Sequence, residues 1–361
     1  MKTKTYLLYV AMLALSMAYT LNSAAQQIRI GEAELIYTDD EMPIRYDGSM
    51  STINRDGKMH FFHSFGCRFE PGEHRRSRHS WHTGTPPDPL KVHLSSRTDD
   101  DLWNYNGYYR DMETEGIWIL GMYRCDNGDL LAITHSEVSP AADKQGDNEL
   151  SYSIGLGYST DQGAAWTYCG EIITAANPHT NVGGGAYVIH DAYLYIYYNE
   201  TGNSEQQRHP AVARAGLDAV LADASKHKVG AWMKYNDGQW NTPALSGTAG
   251  SSVIPIVYGG EDVHSDATYS TALGKYLLTV QTHLNNRLLL FSSENGVDWT
   301  QEAVVDVSGE KEMQPYSSFV DFDGPSADCS SVDHDFYIYY PRKNYYNHDH
   351  DYMFRRHITI E

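Results

Sequence analysis

The feature that most constrains the fold of this 361-residue chain is a strand, tight turn and strand unit that occurs five times. Each turn contains glycine or aspartate and is followed by an aromatic or aliphatic strand. The turns lie at Gly57, Gly128, Asp191, Gly274 and Asp335, at a mean step of about 70 residues. A repeat of this size, built from hairpins with little helix, is typical of a β-propeller with four-stranded blades. The sequence therefore predicts an all-β, five-bladed β-propeller of four-stranded antiparallel blades.

An eight-residue pattern occurs twice, over residues 159–166 and 292–299, with serine, an acidic residue, glycine and tryptophan in the same register. This pattern is an Asp-box. Its polar side chain caps a turn, its glycine takes a positive φ, and its tryptophan packs the returning strand onto the layer beneath. The copies are about 130 residues apart, which is about two blades. We therefore expect these turns in the second and fourth blades, with a structural role.

The ends of the chain and one internal segment depart from the strand pattern. Lys2 and Lys4, an apolar run over residues 7–18 and small residues before Gln26 predict a secretory signal peptide over residues 1–25, cleaved near Ala25. The run is shorter than the roughly 20 residues that a membrane-spanning helix needs. We expect one propeller domain over residues 26–361, secreted or periplasmic, monomeric and without membrane insertion. Helical spacing over residues 211–226 predicts one short inserted helix in the third unit.

Charge and cysteine content restrict the partners and the covalent framework. The chain has 47 acidic and 27 basic residues, a net charge of −20, so nucleic acid is not an expected partner. In an oxidising compartment the four cysteines, Cys67, Cys125, Cys169 and Cys329, are enough for two disulfides, and their spacing does not select a pairing. No cofactor is expected, although a structural Ca²⁺ in the channel is possible on the sequence. The His348 to Asp351 segment contains metal-ligating residue types, but no strand is predicted there to hold them in the geometry of a metal site.

Candidate site residues lie where innermost strands begin or end, because the innermost strand of each blade lines the channel and loops converge at one mouth. In the first blade Arg45 and Asp47 lie on one face of the strand that precedes the Asp56 turn. An acid there is hard to explain by packing. We therefore predict Asp47 as a catalytic residue and Arg45 as a substrate-binding residue.

Two further blades offer a histidine and an acid at a two-residue spacing. His135 and Glu137 end an apolar strand of the second blade, and His264 and Asp266 precede a strand of the fourth. Each pair faces one way along a strand, as an acid and its orienting partner would. For the first pair the alternative is a structural pair that bridges two blades, and for the second it is a surface-facing acidic loop. We predict catalytic roles for Glu137 and Asp266 and substrate binding for both histidines.

Aromatic and basic residues outside the strands suggest where a sugar would bind. The chain has 28 Tyr against 9 Phe, and a tyrosine offers a flat face with a hydroxyl group. Trp103 and Tyr108 lie in an irregular stretch, where a platform at the rim of the channel is expected. Arg78 belongs to a basic segment, residues 66–89, that lacks a strand pattern. It is predicted either as an ordered loop over the channel that contacts a carboxylate or hydroxyls of a glycan, or as a mobile surface loop.

With these residues identified, the chain resembles the five-bladed β-propeller glycoside hydrolases, which include arabinanases, arabinofuranosidases and xylosidases, with sialidase-type Asp-boxes added. The family pattern has an Asp base on the first blade, an Asp on the second that tunes pKa and orientation, and a Glu on the third that donates the proton. The resemblance implies Asp47 as the base. The chain departs elsewhere, since residues 181–185 of the third blade contain no acid; Glu137 and Asp266 rest on the residue pattern alone.

The sequence therefore predicts a secreted glycoside hydrolase that cleaves a polysaccharide or its oligosaccharides by carboxylate acid/base catalysis at the channel mouth. Asp47 is the expected base and Glu137 the expected acid, with Asp266 and His264 shaping the site. One alternative is a polysaccharide lyase that uses His135 or His264 with a tyrosine on a uronate-containing glycan. The other is a glycan-binding propeller without catalysis.

Overall fold

The computed structural model describes the chain from Gln26 onward, with gaps. The described residues are 26–38, 41, 46–65, 78–108, 113–139, 151–176, 182–200, 209–254, 261–262, 264, 266–282, 286–309, 312–344 and 351–361. The predicted signal peptide, the predicted substrate residue Arg45 and Cys67 lie outside them.

The described residues form 26 strands and two helices. The strands, in chain order, are β1 Ile28–Ile30, β2 Glu34–Tyr37, β3 Ser51–Arg55, β4 Lys58–Phe65, β5 Arg78–Thr85, β6 Asp88–Thr98, β7 Trp103–Asn104, β8 Glu113–Arg124, β9 Leu130–Ser139, β10 Ser151–Ser159, β11 Trp166–Thr174, β12 Val182–His190, β13 Tyr193–Glu200, β14 His209–Gly216, β15 Met233–Asn236, β16 Gln239–Pro243, β17 Glu261–Asp262, β18 Ala267–Ser270, β19 Lys275–Thr282, β20 Arg287–Ser293, β21 Thr300–Val307, β22 Glu312–Met313, β23 Ser318–Val320, β24 Ser331–Val332, β25 Asp335–Asn344 and β26 Asp351–Ile360. The helices are α1 Asp99–Leu102 and α2 Leu217–Ala224.

The strands form five sheets, which are the five predicted blades. Blade 1 contains β3 to β6, blade 2 contains β8 to β11 with β7 at its outer edge, and blade 3 contains β12 to β16. Blade 4 contains β18 to β21 with the short β17 and β24, and blade 5 contains β22, β23, β25 and β26 with β1 and β2. The predicted five-bladed propeller is confirmed. The turns at Gly57, Gly128, Asp191 and Gly274 join the two inner strands of blades 1 to 4, whereas in blade 5 β23 and β25 are joined by residues 321–334, which include β24 of the blade 4 sheet.

The ring closes in blade 5, where strands from both parts of the chain pair. β1 and β2 both run antiparallel to β26, with Ile28 opposite Ile360. This pairing holds the first strands of the chain and its last strand in one sheet, so the two ends of the propeller domain are joined.

Apolar side chains of neighbouring blades meet at seams between the sheets. Each of the five seams contains one buried cluster, represented by Phe62 with Ile119, Leu131 with Ile196, Tyr197 with Phe291, Leu290 with Ile338, and Phe61 with Tyr339. The strands alternate because successive side chains point to opposite seams. Cys125, Cys169 and Cys329 are buried free thiols within these layers, so no disulfide joins them.

The two repeated turns lie between the outer strands of blades 2 and 4, as predicted, but their capping residues differ in register. Ser159 Oγ accepts a hydrogen bond from Gly163 N at 2.9 Å, whereas in the second copy Ser293 rather than Ser292 accepts from Gly296 N, also at 2.9 Å. The predicted alignment of Ser292 with Ser159 is therefore shifted by one residue. Gly163 and Gly296 take positive φ values of 86° and 75°, which glycine adopts without strain.

The predicted helix is shorter than its sequence pattern. Only α2 is helical, and the preceding residues form β14, which pairs with β13 over its whole length. Val212, expected on the helix, is buried in the seam between blades 3 and 4. These residues form a strand and not a helix because small residues alternate with larger ones along β14. This alternation suits a sheet that packs on both faces. Within the described residues, no helix is long and apolar enough to cross a membrane.

Residues 321–332 cross one end of the channel. Asn54 N of blade 1 donates to Ala327 O, Arg124 N of blade 2 donates to Asp328 Oδ2 at 3.1 Å, and Thr268 Oγ1 of blade 4 donates to Cys329 O at 2.8 Å. Asn54 and Arg124 lie at the ends of the innermost strands β3 and β8, and Thr268 lies within the short innermost strand β18. The opposite end, where the innermost strands begin, is the mouth that we consider below.

Candidate active site

Residues from four blades meet at the mouth. Asp47 precedes β3, His264 precedes β18, Tyr316 precedes β23, and Asn199 is near the end of β13. Tyr316 Oη donates to Asp47 Oδ1 at 3.2 Å, and Tyr316 N donates to His264 O at 2.6 Å. Asn199 Nδ2 and His264 Nδ1 are 3.4 Å apart. The structure therefore brings two of the predicted site residues, Asp47 and His264, into one connected group.

Asp47 lies at the blade 1 end of this group, where its side chain contacts Tyr316. Its amide faces Ser64 O at 3.4 Å, and the preceding Tyr46 pairs with Phe65 at the end of β4. The backbone is therefore held against blade 1 while the carboxylate turns toward blade 5. A carboxylate that accepts a phenol hydrogen bond and is only partly buried is suited to accept a proton or to attack a carbon atom.

Tyr316 is a site residue that the sequence did not indicate. Its φ is +63°, which is uncommon for a residue with a large side chain. Such conformations persist where the surrounding structure holds them, and they concentrate at functional sites. The only local signal is the preceding Pro315, which has no special association with a catalytic tyrosine.

A lysine lies on the far side of Tyr316. Lys343 Nζ is 4.8 Å from the centre of the Tyr316 ring and 3.9 Å from Asp351 Oδ2. Asp351 Oδ2 also accepts from Tyr46 N at 2.8 Å. This part of the mouth thus combines a largely buried ammonium group with the phenol that contacts Asp47.

The predicted pair in blade 2 is present and loosely bonded. His135 Nε2 and Glu137 Oε1 are 3.4 Å apart, and the side chains are 12% and 20% exposed. Their positions in β9 pair with Trp118 and Gly116 of β8, on the mouth side of Ile119. The rings of Trp118 and Tyr152 lie 6.0 and 5.2 Å from the His135 ring. Glu137 is therefore a partly solvated acid near the same end of the channel as Asp47.

Asp266 lies in the wall of the channel. Its carboxylate accepts from Phe319 N at 3.0 Å and from Ala267 N at 2.9 Å, which links blade 4 to blade 5. Burial, with the negative charge of Asp328 as a smaller cause, raises the pKa of Asp266 to about 7 against the effect of those two hydrogen bonds. The side chains of Asp266, Asp328 and Tyr187 line one narrow cavity. Asp266 is thus placed to hold blades 4 and 5 together.

The predicted sugar platform is not at the mouth. Trp103 is only 5% exposed and packs against Trp166 at the outer edge of blade 2, so it is a core residue. Tyr108 is 38% exposed but rests on Tyr168 on that same outer edge. The sequence predicts a loop at the rim here, whereas the stretch crosses from blade 1 to the outside of blade 2. The predicted loop over residues 66–89 is also wrong in its second half, since Arg78–Thr85 form β5 and β6 begins at Asp88. Arg78 is exposed at the start of β5, two strands out from the channel.

Blade 3 does carry an acid near the mouth, at Glu200 in β13 rather than in the innermost strand. Lys234 Nζ lies 2.7 Å from Glu200 Oε2 and also donates to Thr174 O and Thr248 O. Both side chains are fully buried. A buried pair with this many hydrogen bonds is structural, and it anchors the strand that carries Asn199.

Metal binding is not evident from the residues that the structure describes. Among them, no three His, Cys, Asp or Glu side chains converge on a point that would hold a metal ion. Asp266 and Asp328 in the channel are two oxygen donors of the kind that Ca²⁺ prefers, and the channel Ca²⁺ stays a prediction.

Comparison with known proteins agrees with the fold. No protein-family model matches the chain, and no curated protein matches its sequence. Among solved structures, a family 117 glycoside hydrolase from the marine bacterium Zobellia galactanivorans is 9% identical, with a TM-score of 0.50 over 92% of this chain and 90% of that one. The α-L-arabinofuranosidase PaAbf62A from Podospora anserina is 10% identical, with a TM-score of 0.49 over 92% and 97%.

A Trypanosoma rangeli sialidase mutant displaying trans-sialidase activity is 12% identical, with a TM-score of 0.45. The match covers 85% of this chain, which spans 44% of the sialidase. At identities this low the likeness concerns the fold alone.

Proposed function

We propose that the protein is a glycoside hydrolase whose active site is the channel mouth around Asp47. The observation that carries the proposal is the hydrogen bond from Tyr316 to Asp47, made where residues of blades 3 and 4 also converge. The proposal is also supported by the similarity in fold to a family 117 glycoside hydrolase.

Glycosidic bonds are hydrolysed by two carboxyl groups with different tasks, and the mouth offers a candidate for each. Asp47 acts as the base or nucleophile, with its carboxylate oriented by Tyr316. Glu137 acts as the proton donor, and His135 orients it. Both acids are partly exposed, so each is accessible to a bound sugar. Asp266 and His264 shape the mouth.

The test is a digest of neutral and uronate-containing polysaccharides with wild-type protein, Asp47→Asn and Asp56→Asn. Asp56 is an exposed acid in the turn at the far end of β3, so its variant controls for the charge change. We expect reducing ends with wild type and Asp56→Asn, and at least about a 100-fold loss with Asp47→Asn. Full activity in Asp47→Asn, with unaltered thermal stability, would remove Asp47 from the mechanism.

A polysaccharide lyase is the second candidate, because Tyr316 lies between His264 and Lys343. A tyrosine and a histidine can move the protons of an elimination, and an ammonium group can neutralise the carboxylate of a uronate. The same digest separates the two reactions. Ultraviolet absorbance from an unsaturated uronate would indicate the lyase, and reducing ends without it would indicate the hydrolase. Binding without product would indicate a lectin-like propeller.

A further inference from the structure

Three polar side chains form a buried chain of contacts in blade 1. Ser64 Oγ lies 2.9 Å from His79 Nδ1, and His79 Nε2 lies 2.7 Å from Asp99 Oδ1. None of the three residues is more than 1% exposed. The residue types are those of a hydrolytic triad, but a glycan has no access to Ser64 Oγ.

The chain of contacts ends on the innermost strand of the next blade. Ile119 N of β8 donates to Ser64 Oγ at 2.9 Å, and Ser64 Oγ lies 3.3 Å from Ile119 O. His79 is in β5 and Asp99 begins α1, so the contacts run from the outside of blade 1 to blade 2. We call Ser64, His79 and Asp99 the seam link.

The seam link lies beneath both proposed catalytic carboxylates. Ser64 O faces the amide of Asp47 at 3.4 Å. On the other side, Ile119 pairs with Thr134 of β9, the strand that carries Glu137 three residues further toward the mouth. The seam link therefore joins the backbone that carries the base to the strand pair that carries the acid.

We propose that Ser64, His79 and Asp99 are positioning residues that set the separation between Asp47 and Glu137. This inference rests on the proposed function. The separation of the two carboxyl groups determines whether water fits between them, and a misplacement of about 1 Å can cost about 100-fold in rate. Side-chain hydrogen bonds to the backbone of a neighbouring strand hold two blades at a defined distance. The donors and acceptors of these bonds are buried, so a group that loses its partner has no water molecule to bond instead.

The test compares Ser64→Ala and His79→Gln with His82→Gln. His82 is a buried histidine of the same strand that bonds to Ser80 and Leu90 within blade 1, so its variant matches the substitution without touching the seam. Asp99→Asn, which keeps the volume and one acceptor, replaces Ser64→Ala if that variant does not fold. The readouts are amide hydrogen exchange over residues 113–124, and kcat and KM on the polysaccharide cleaved by wild type.

We expect faster exchange in β8, a 10- to 100-fold lower kcat and a KM within twofold for the seam variants, with neither change in His82→Gln. Faster exchange with unchanged kcat would overturn the positioning role. Unchanged exchange would overturn the link itself. If wild-type protein cleaves no glycan, the proposed function fails, whereas the exchange measurement still decides whether the link joins the blades.

Discussion

Two pairs of a histidine and a carboxylate, in the parts of the chain that form blades 1 and 2, differ in the distance between the side chains, in their exposure and in the number of their partners. His79 and Asp99 are 2.7 Å apart, no more than 1% exposed, and have Ser64 as a third member. His135 and Glu137 are 3.4 Å apart and 12% and 20% exposed. The enclosed pair has partners at both ring nitrogens, so it is suited to hold structure. The open pair retains room for a ligand, so it is suited to chemistry.

The largest effect should come from the open pair. Glu137→Gln removes the proposed proton donor and should lower kcat by about 10²- to 10⁴-fold. Its free energy of unfolding should change by no more than about 0.5 kcal/mol, because the side chain is partly solvated. Steady-state kinetics and urea denaturation of the same preparation check both. If Glu137→Gln lowers the free energy of unfolding by more than it raises the activation free energy of the reaction, Glu137 is a structural residue and does not differ from Asp99 in its role.

The enclosed pair should show its effect in stability. His79→Ala leaves the Asp99 carboxylate buried without its imidazole and should lower the free energy of unfolding by about 3–5 kcal/mol. His135→Ala should lower it by less than about 1 kcal/mol. Chemical denaturation of the two variants measures both losses of unfolding free energy. Equal losses would contradict the assignment of the two pairs to different tasks.

A second buried acid beside Asp99 is Asp266, which sharpens the comparison because backbone amides hold its carboxylate. Its pKa of about 7 is above that of an unfolded aspartate, about 3.9, so the folded protein binds the proton more tightly. Its contribution to stability is fully present below about pH 4 and is lost as the pH rises through about 7. Asp266→Asn should therefore flatten the fall of the melting temperature over that range. An unchanged pH profile in scanning calorimetry would show that Asp266 is ionised in the folded protein.

The smallest effect should be the coupling within each pair. A double-mutant cycle of Ser64→Ala and His79→Ala should give an interaction free energy of about 1–3 kcal/mol. The cycle of His135→Ala and Glu137→Ala should give about 0.5 kcal/mol, because both side chains are solvated. Urea denaturation of the six variants provides the values, and a larger coupling in the second cycle would reverse the comparison.

The repeat of hairpin turns predicted the architecture because blade formation is local: each turn joins strands adjacent in sequence. The acid of blade 1 was predictable for the same reason, since Asp47 lies just before an innermost strand. Tyr316, Asn199 and Lys343 were not, because their importance comes only from contacts between blades that are distant in sequence. Trp103 was misplaced because sequence does not distinguish a loop at the rim from a crossing on the outside of a blade. The seam link was missed because Asp99 and Ser64 are 35 positions apart with no periodic pattern.

Closure of the ring through β1 and β26 has a consequence for how an active molecule comes into being. The pairing of Ile28 with Ile360 joins residues separated by nearly the whole chain, and contacts of such long range form slowly. Asp47 belongs to the beginning of that path, whereas Tyr316, Lys343 and Asp351 belong to its end. A growing polypeptide therefore has no assembled mouth until its last strand, β26, is available. A molecule interrupted before that strand would be folded in part but would lack the proposed site.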